Sequence, residues 1–193
     1  CMDIEIFKTN IGQYTNQDIV KKYLPIVDEY LARAGNMMGI EGHITTYGNQ
    51  VLTRELNNDE RLDEIFNWCI QTALQHFYNR GYDVNLFHIQ PTFFVNEIHK
   101  GAYFHRHAHP NARISGVLYM DAHAETSNIV FHDPRPYKQC IALPVRPGFE
   151  DKLFDDYSIE VESGKLLVWE SWLEHEVPQN HSSHPRKTLV FNL

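Results

Sequence analysis

The chain is poor in cysteine, with only Cys1, Cys69 and Cys140 among 193 residues. Their spacing offers neither a CxxC pair nor a disulfide framework, so the thiols read as reduced groups in a cytoplasm-like compartment. Long apolar runs are missing as well. None approaches the roughly 18 residues needed to span a bilayer, and no basic-then-apolar leader is evident. Positive charge is scarce: Lys and Arg number 17 against 25 Asp and Glu, for a formal net charge of -8. A nucleic-acid backbone therefore finds no basic stripe to dock on. Repeats, low-complexity tracts and linkers are also lacking, so residues 1–193 are expected to form one domain. The expected partner is a small molecule or a peptide, with no nucleic acid and no membrane.

What the chain does have is apolar and aromatic mass, 42% and 12% of its residues, enough to bury a sizeable core. Residues 1–84 read as mainly helical support, after a short opening strand in "DIEIFKT". Residues 17 to 34 repeat apolar side chains near a 3.6 period, with Pro25 as a kink or fresh start and Gly35 as a stop. A second helix, capped by Asp59, buries Leu62, Ile65, Phe66, Cys69, Ala73 and Phe77 on one stripe and ends at Gly81. From residue 85 the period shifts to two. "LFHIQPTFFVN" reads as a half-buried strand, and short strands follow in "ARISGVLYM", "SNIVFH", "QCIALPV", "YSIEVE", "KLLVWE" and "RKTLVFNL". The expected fold is mainly β with N-terminal α-helices: an antiparallel barrel or jelly roll buttressed by helices.

Histidine is in excess, with 12 in the chain. Three of them, His105, His107 and His109, stand at every second position in "GAYFHRHAHPNARISGVLYM", and the strand period sends all three to one side. Such a row is either a solvated edge or the start of a metal site. A matching second half lies downstream, where His175 follows an apolar strand and Arg186 and Thr188 share one face of the next. An inward arginine in a barrel wall requires an anionic partner, because a lone buried guanidinium is too costly. His105 sits earlier in its strand and reads as a supporting or substrate-facing group. His43, His76, His88, His99, His123, His132, His181 and His184 are assigned to surface, loop or ordinary packing, with His181 and His184 in a loop near the barrel mouth. Trp169 and Trp172 read as barrel-core aromatics, and Asp133-Pro134-Arg135 as a turn.

Four segments in this order, "GAYFHRHAHPNARISGVLYM", "FHDPR", "GKLLVWESWLEHEVPQN" and "RKTLVFNL", resemble the iron(II)/2-oxoglutarate-dependent oxygenases, in particular a small bacterial and phage-type group. The shared features are H-x-H-P before S-G-V-x-Y, G-x-L-x-x-x-x-S-W-L-x-H, and a closing R-x-T-x-x-F-N, spread over roughly residues 92 to 193. The resemblance implies a double-stranded β-helix core with Fe(II) as metal and 2-oxoglutarate and O2 as co-substrates. It makes His107 and His175 metal ligands. It gives Arg186 the C5 carboxylate of 2-oxoglutarate, with Thr188 and Tyr119 as supporting hydrogen-bond donors. The implied reaction is hydroxylation of a peptidyl or small-molecule substrate with release of succinate and CO2.

One departure from the wider superfamily stands out. Its common triad has a carboxylate in the second place, where this chain has His109. Asp121 and Asp133 are the nearest carboxylates that could take that place instead. Three neutral imidazoles also suit catalytic zinc, so a cupin-like metal-binding protein or a zinc-type hydrolase without oxygen chemistry remains the alternative.

Overall fold

The computed structural model describes residues 8–37, 39–86, 88–135, 143–148 and 155–193. Most of the opening "DIEIFKT" segment, much of "QCIALPV", Phe87, Cys1 and Cys140 lie outside them. The first strand described is β1, Gly12–Thr15. Asn16 then caps α1, Gln17–Leu31, its side chain accepting from the Ile19 N–H at 3.1 Å. Pro25 neither breaks nor restarts this helix. The carbonyl that it leaves unbonded is that of Lys21, an exposed residue, so water can satisfy it.

Two short strands, β2 (Gly35–Asn36) and β3 (His43–Thr45), precede α2, Gln50–Asn57, a helix the sequence reading did not foresee. Eight residues show only two apolar anchors, Leu52 and Leu56, too few for a periodic signal. Asp59 caps a 3-10 turn, Glu60–Leu62, rather than the long helix itself, and α3 runs Asp63–Asn79. At its end the Tyr82 N–H reaches back to the Phe77 carbonyl (3.1 Å) around Gly81, whose φ of 94° is open to glycine at little cost.

Eight further strands complete the fold. They are β4 (Thr92–Ile98), β5 (Phe104–His107), β6 (Ile114–Asp121), β7 (Ile129–His132), β8 (Asp156–Ile159), β9 (Lys165–Glu170), β10 (His175–Val177) and β11 (Arg186–Asn192). They form a seven-stranded sheet in the order β1-β9-β6-β11-β4-β3-β2 and a four-stranded sheet in the order β5-β10-β7-β8. Every pairing is antiparallel.

The large sheet is covered on both faces, and its strands alternate accordingly. Leu189 and Phe191 of β11, Phe93 and Val95 of β4, Leu118 and Met120 of β6, and Leu166 and Val168 of β9 join the helices in one core. The contact includes Phe66 of α3 stacked on Phe93 at 3.9 Å. Their neighbours along each strand, among them Phe94, Val117, Tyr119, Trp169 and Val190, pack with Ile129 and Phe131 of the small sheet. Strand β4 is therefore not half-buried as expected, and it starts only at Thr92. Pro91 cannot donate to a ladder, and β11 ends its pairing at Asn192 opposite Thr92. Cys69 lies fully buried on the inner side of α3, and desolvation raises its thiol pKa far above the ordinary value, which makes it inert. Trp172 departs from the core reading: it is 47% exposed and lines a separate depression with Arg135 and Tyr157.

Gly116 sits opposite Phe191 in the β6–β11 ladder, and a Cβ there would stand 2.3 Å from the Phe191 ring. The aromatic occupies the space that the missing side chain leaves. Gly116→Ala is expected to lower unfolding stability by about 1–3 kcal/mol, measurable as a lower urea midpoint at unchanged slope; an unaltered midpoint contradicts the close packing.

Candidate metal centre

Strand β10 is only three residues long, yet it pairs on both edges. His175 lies opposite His107 of β5 on one side and Phe131 of β7 on the other. The ladder thus sets His107 and His175 side by side, with ring centroids 4.3 Å apart. His109 is not on the strand, because β5 ends at His107. It reaches the same place from the following turn, its backbone N–H held by the Ser171 carbonyl at 2.9 Å. The Ser171 hydroxyl is in turn bonded to that of Ser115 at 2.8 Å. One nitrogen from each of His107, His109 and His175 lies within 4.8 Å of the others. His105, counted in the same alternating row, is exposed, its ring against Tyr103 instead. The carboxylates of Asp121 and Asp133 are not part of this cluster either: Asp121 meets His184 and Asp133 meets Arg135.

The tautomers follow from the hydrogen bonds. A carbonyl only accepts, so Nδ1–H of His107 donates to the His105 carbonyl (2.7 Å) and Nδ1–H of His175 to that of Leu173 (3.0 Å). Both rings are left with a lone pair on Nε2, as a metal ligand requires. Nε2 of His175 lies 3.4 Å from Nε2 of His109. Burial is the main cause that lowers all three pKa values, His109 to about 4 and His175 to about 3, so the rings are neutral at pH 7. Three neutral nitrogens converging on one point, His175 buried and His107 and His109 half-buried, fit a divalent transition cation.

Arg186 begins β11 on the same inward face and is 3% exposed. Its Nη2 donates to the Tyr119 hydroxyl at 3.1 Å, its guanidinium lies over that ring, and its Nε has no partner among the described residues. Among the described residues no carboxylate pairs with it. Burial raises the Tyr119 pKa, and Arg186 opposes that shift. Thr188 is buried and stands between Tyr119 of β6 and Asn96 of β4 in the ladder. Beyond Asn96 comes Thr45 of β3, whose hydroxyl donates to the Asn96 side chain at 2.5 Å. His107, His109, His175, Arg186 and Thr188 line one cavity of about 40 Å3 with Asn96 and Trp169. An outer cavity of about 460 Å3 shares Phe94, Phe104, His107 and His109 with it.

His43 is the residue whose place the sequence reading missed. It is 0% exposed and packs edge-on against Phe104. Desolvation lowers its pKa to about 4, and the charge of Arg186 adds to that. A lone histidine in a three-residue strand carries no periodic signal, so only the fold places it here.

The fold is a double-stranded β-helix, and it carries a three-histidine cluster whose geometry can hold a metal ion. The solved structures it is similar to share the fold. A prolyl-4-hydroxylase from Pseudomonas putida is 17% identical, with 95% of this chain and 91% of that one covered and a TM-score of 0.64. The non-heme alpha ketoglutarate dependent carbocyclase SnoK from nogalamycin biosynthesis is 9% identical, with 95% and 78% covered and a TM-score of 0.62. A prolyl hydroxylase from Trichoplax adhaerens, in complex with a hypoxia inducible factor peptide fragment, is 14% identical, with 94% and 82% covered and a TM-score of 0.59. No curated protein matches the chain. The family model described as "Putative 2OG-Fe(II) oxygenase" matches residues 92–192, and the chain belongs to that family, which works with Fe(II), 2-oxoglutarate and O2. No helix among the described residues is long and apolar enough to cross a membrane.

Because His43, His109 and His175 have lower pKa values folded than unfolded, the unfolded chain takes up more protons as pH falls below about 6.5. Their contribution to stability is complete above that value and is lost progressively toward about pH 4. Urea denaturation of the metal-free protein from pH 7.5 to 4.5 is expected to show this decline, with a shallower slope in His43→Leu. A flat profile contradicts the buried neutral state.

Proposed function

We propose that the protein is an Fe(II)- and 2-oxoglutarate-dependent dioxygenase that hydroxylates a peptidyl or small-molecule substrate, releasing succinate and CO2. The observation that carries this reading is the buried guanidinium of Arg186, without a carboxylate partner among the described residues, opening on the same cavity as the three-histidine cluster. A cationic wall facing a set of neutral metal donors suits a ligand that can bind a metal at one end and carry an anion at the other. 2-Oxoglutarate is such a ligand.

His107, His109 and His175 hold the metal, and the carbonyls of His105 and Leu173 keep two of the rings in the ligating tautomer. Arg186 receives the distal carboxylate of 2-oxoglutarate by a charge-assisted bond. Tyr119 orients the guanidinium, and Thr188 offers a hydroxyl on the same face. When bound, Fe(II) with 2-oxoglutarate supplies the oxygen-activating chemistry, one atom of O2 passing to succinate and one to the substrate. The chain's own part is to hold the reactants in register and keep water out. The apolar walls of Phe104, Trp169 and Val190 serve the second task. A substrate in the outer cavity, between Tyr47, Phe94 and Pro110, lies beside His107 and His109.

His107→Ala and His175→Ala are each expected to abolish stoichiometric iron binding by elemental analysis, and wild-type iron affinity in both refutes the centre. Arg186→Ala is expected to weaken 2-oxoglutarate binding roughly 30-fold or more by calorimetry while iron affinity is largely kept; unchanged affinity removes the assigned role. Formation of succinate that depends on 2-oxoglutarate separates the oxygenase from a zinc-type hydrolase or a simple binding protein, which form none.

A further inference from the structure

A second set of metal-type donors lies away from the inner cavity. Asp121 ends β6, His123 follows in the next turn, and His184 stands two residues before Arg186. Nε2 of His184 is 3.1 Å and Nε2 of His123 is 3.8 Å from the same oxygen, Oδ1 of Asp121. The two imidazoles meet edge to face with centroids 4.1 Å apart. One donor atom from each of the three residues lies within 4.8 Å of the others.

The backbone beneath each donor is tied down. The His184 N–H donates to the Ser182 hydroxyl, and its carbonyl accepts from the Asn180 side chain, each at 3.1 Å. The His123 carbonyl accepts from both the hydroxyl and the N–H of Thr126, at 2.7 and 2.9 Å. Asp121 lies opposite Lys187 in the ladder, but the Lys187 ammonium reaches Asp28 at 2.7 Å. A single Asp–His hydrogen bond explains one imidazole. It does not explain a second one converging on the same carboxylate oxygen.

From this geometry we propose that Asp121, His123 and His184 form a second metal site, open to solvent, for a divalent transition cation of the zinc class. Two imidazoles and one carboxylate match the donors that zinc takes, and water completes the coordination. Small side-chain rotations bring three such donors to the roughly 2.0–2.2 Å metal distances. His123 and His184 are exposed enough to make them, at 57% and 38% side-chain exposure. The cation joins the turn after β6 to the segment that leads into Arg186. The site does not depend on the inner centre, whose ligands are all different residues.

The test is Zn2+ titration of the metal-free full chain against a chromophoric chelator. The wild type is expected to bind two Zn2+ per chain, the double variant H123A/H184A one, and the double variant H107A/H175A one. The last result isolates the outer site even if the inner assignment fails. Asp121→Asn, which keeps the side-chain shape, is expected to weaken the outer site roughly 10-fold or more, and it carries the test should H123A/H184A not fold. Retention of wild-type stoichiometry and affinity in H123A/H184A or Asp121→Asn overturns the proposal, as does loss of all Zn2+ binding in a folded H107A/H175A.

Discussion

The structure depends on a short strand paired on both edges. β10 has three residues, and its hydrogen bonds to β5 and β7 place His175 directly across from His107. That register has a cost. Three imidazoles leave water together, and their pKa values fall because the charged form is unwelcome there. The same desolvation keeps them neutral as donors. A fold that had to stabilise imidazolium ions at this point could not present three lone pairs to a cation.

The large sheet makes room for that chemistry by separating two tasks onto its two faces. The helices α1, α2 and α3 cover one face with a mainly apolar core. The other face can then include a polar row across four strands, Tyr119, Thr188, Asn96 and Thr45, without loss of the packing beneath it. Among the described residues, Trp169 Nε1 and Arg186 Nε are buried donors without a hydrogen-bond partner, and both residues line the inner cavity. In a native protein such groups are few, and an acceptor in that cavity can satisfy them.

Much of this could be read from the chain. The loss of the 3.6 period near residue 85 separated helices from strands, and β6 and β9 were visible as short, nearly continuous apolar runs because both of their faces are covered. His107, His109, His175 and Arg186, which the structure brings to one cavity, were picked out because each stands in a spaced motif. Elements set by long-range pairing were not legible. β1, β2 and β3 are too short to carry a pattern of their own, and α2 shows only two anchors. The same limit hid His43 and the convergence of Asp121, His123 and His184, whose 61-residue separation in sequence closes only when β6 and β11 pair. Trp172 misled because adjacent positions on a turn carry no face, so its neighbour Leu173 took the buried place.

The outer cavity has a mixed parentage. His107, His109 and Pro110 come from the part of the chain that matches the family, while Met37 and Tyr47 come from the N-terminal part that does not. The three-histidine cluster thus lies wholly within the matched stretch, while the rim around the outer cavity draws on both. Exchange of the N-terminal stretch between relatives can reshape part of the doorway and leave the cluster untouched.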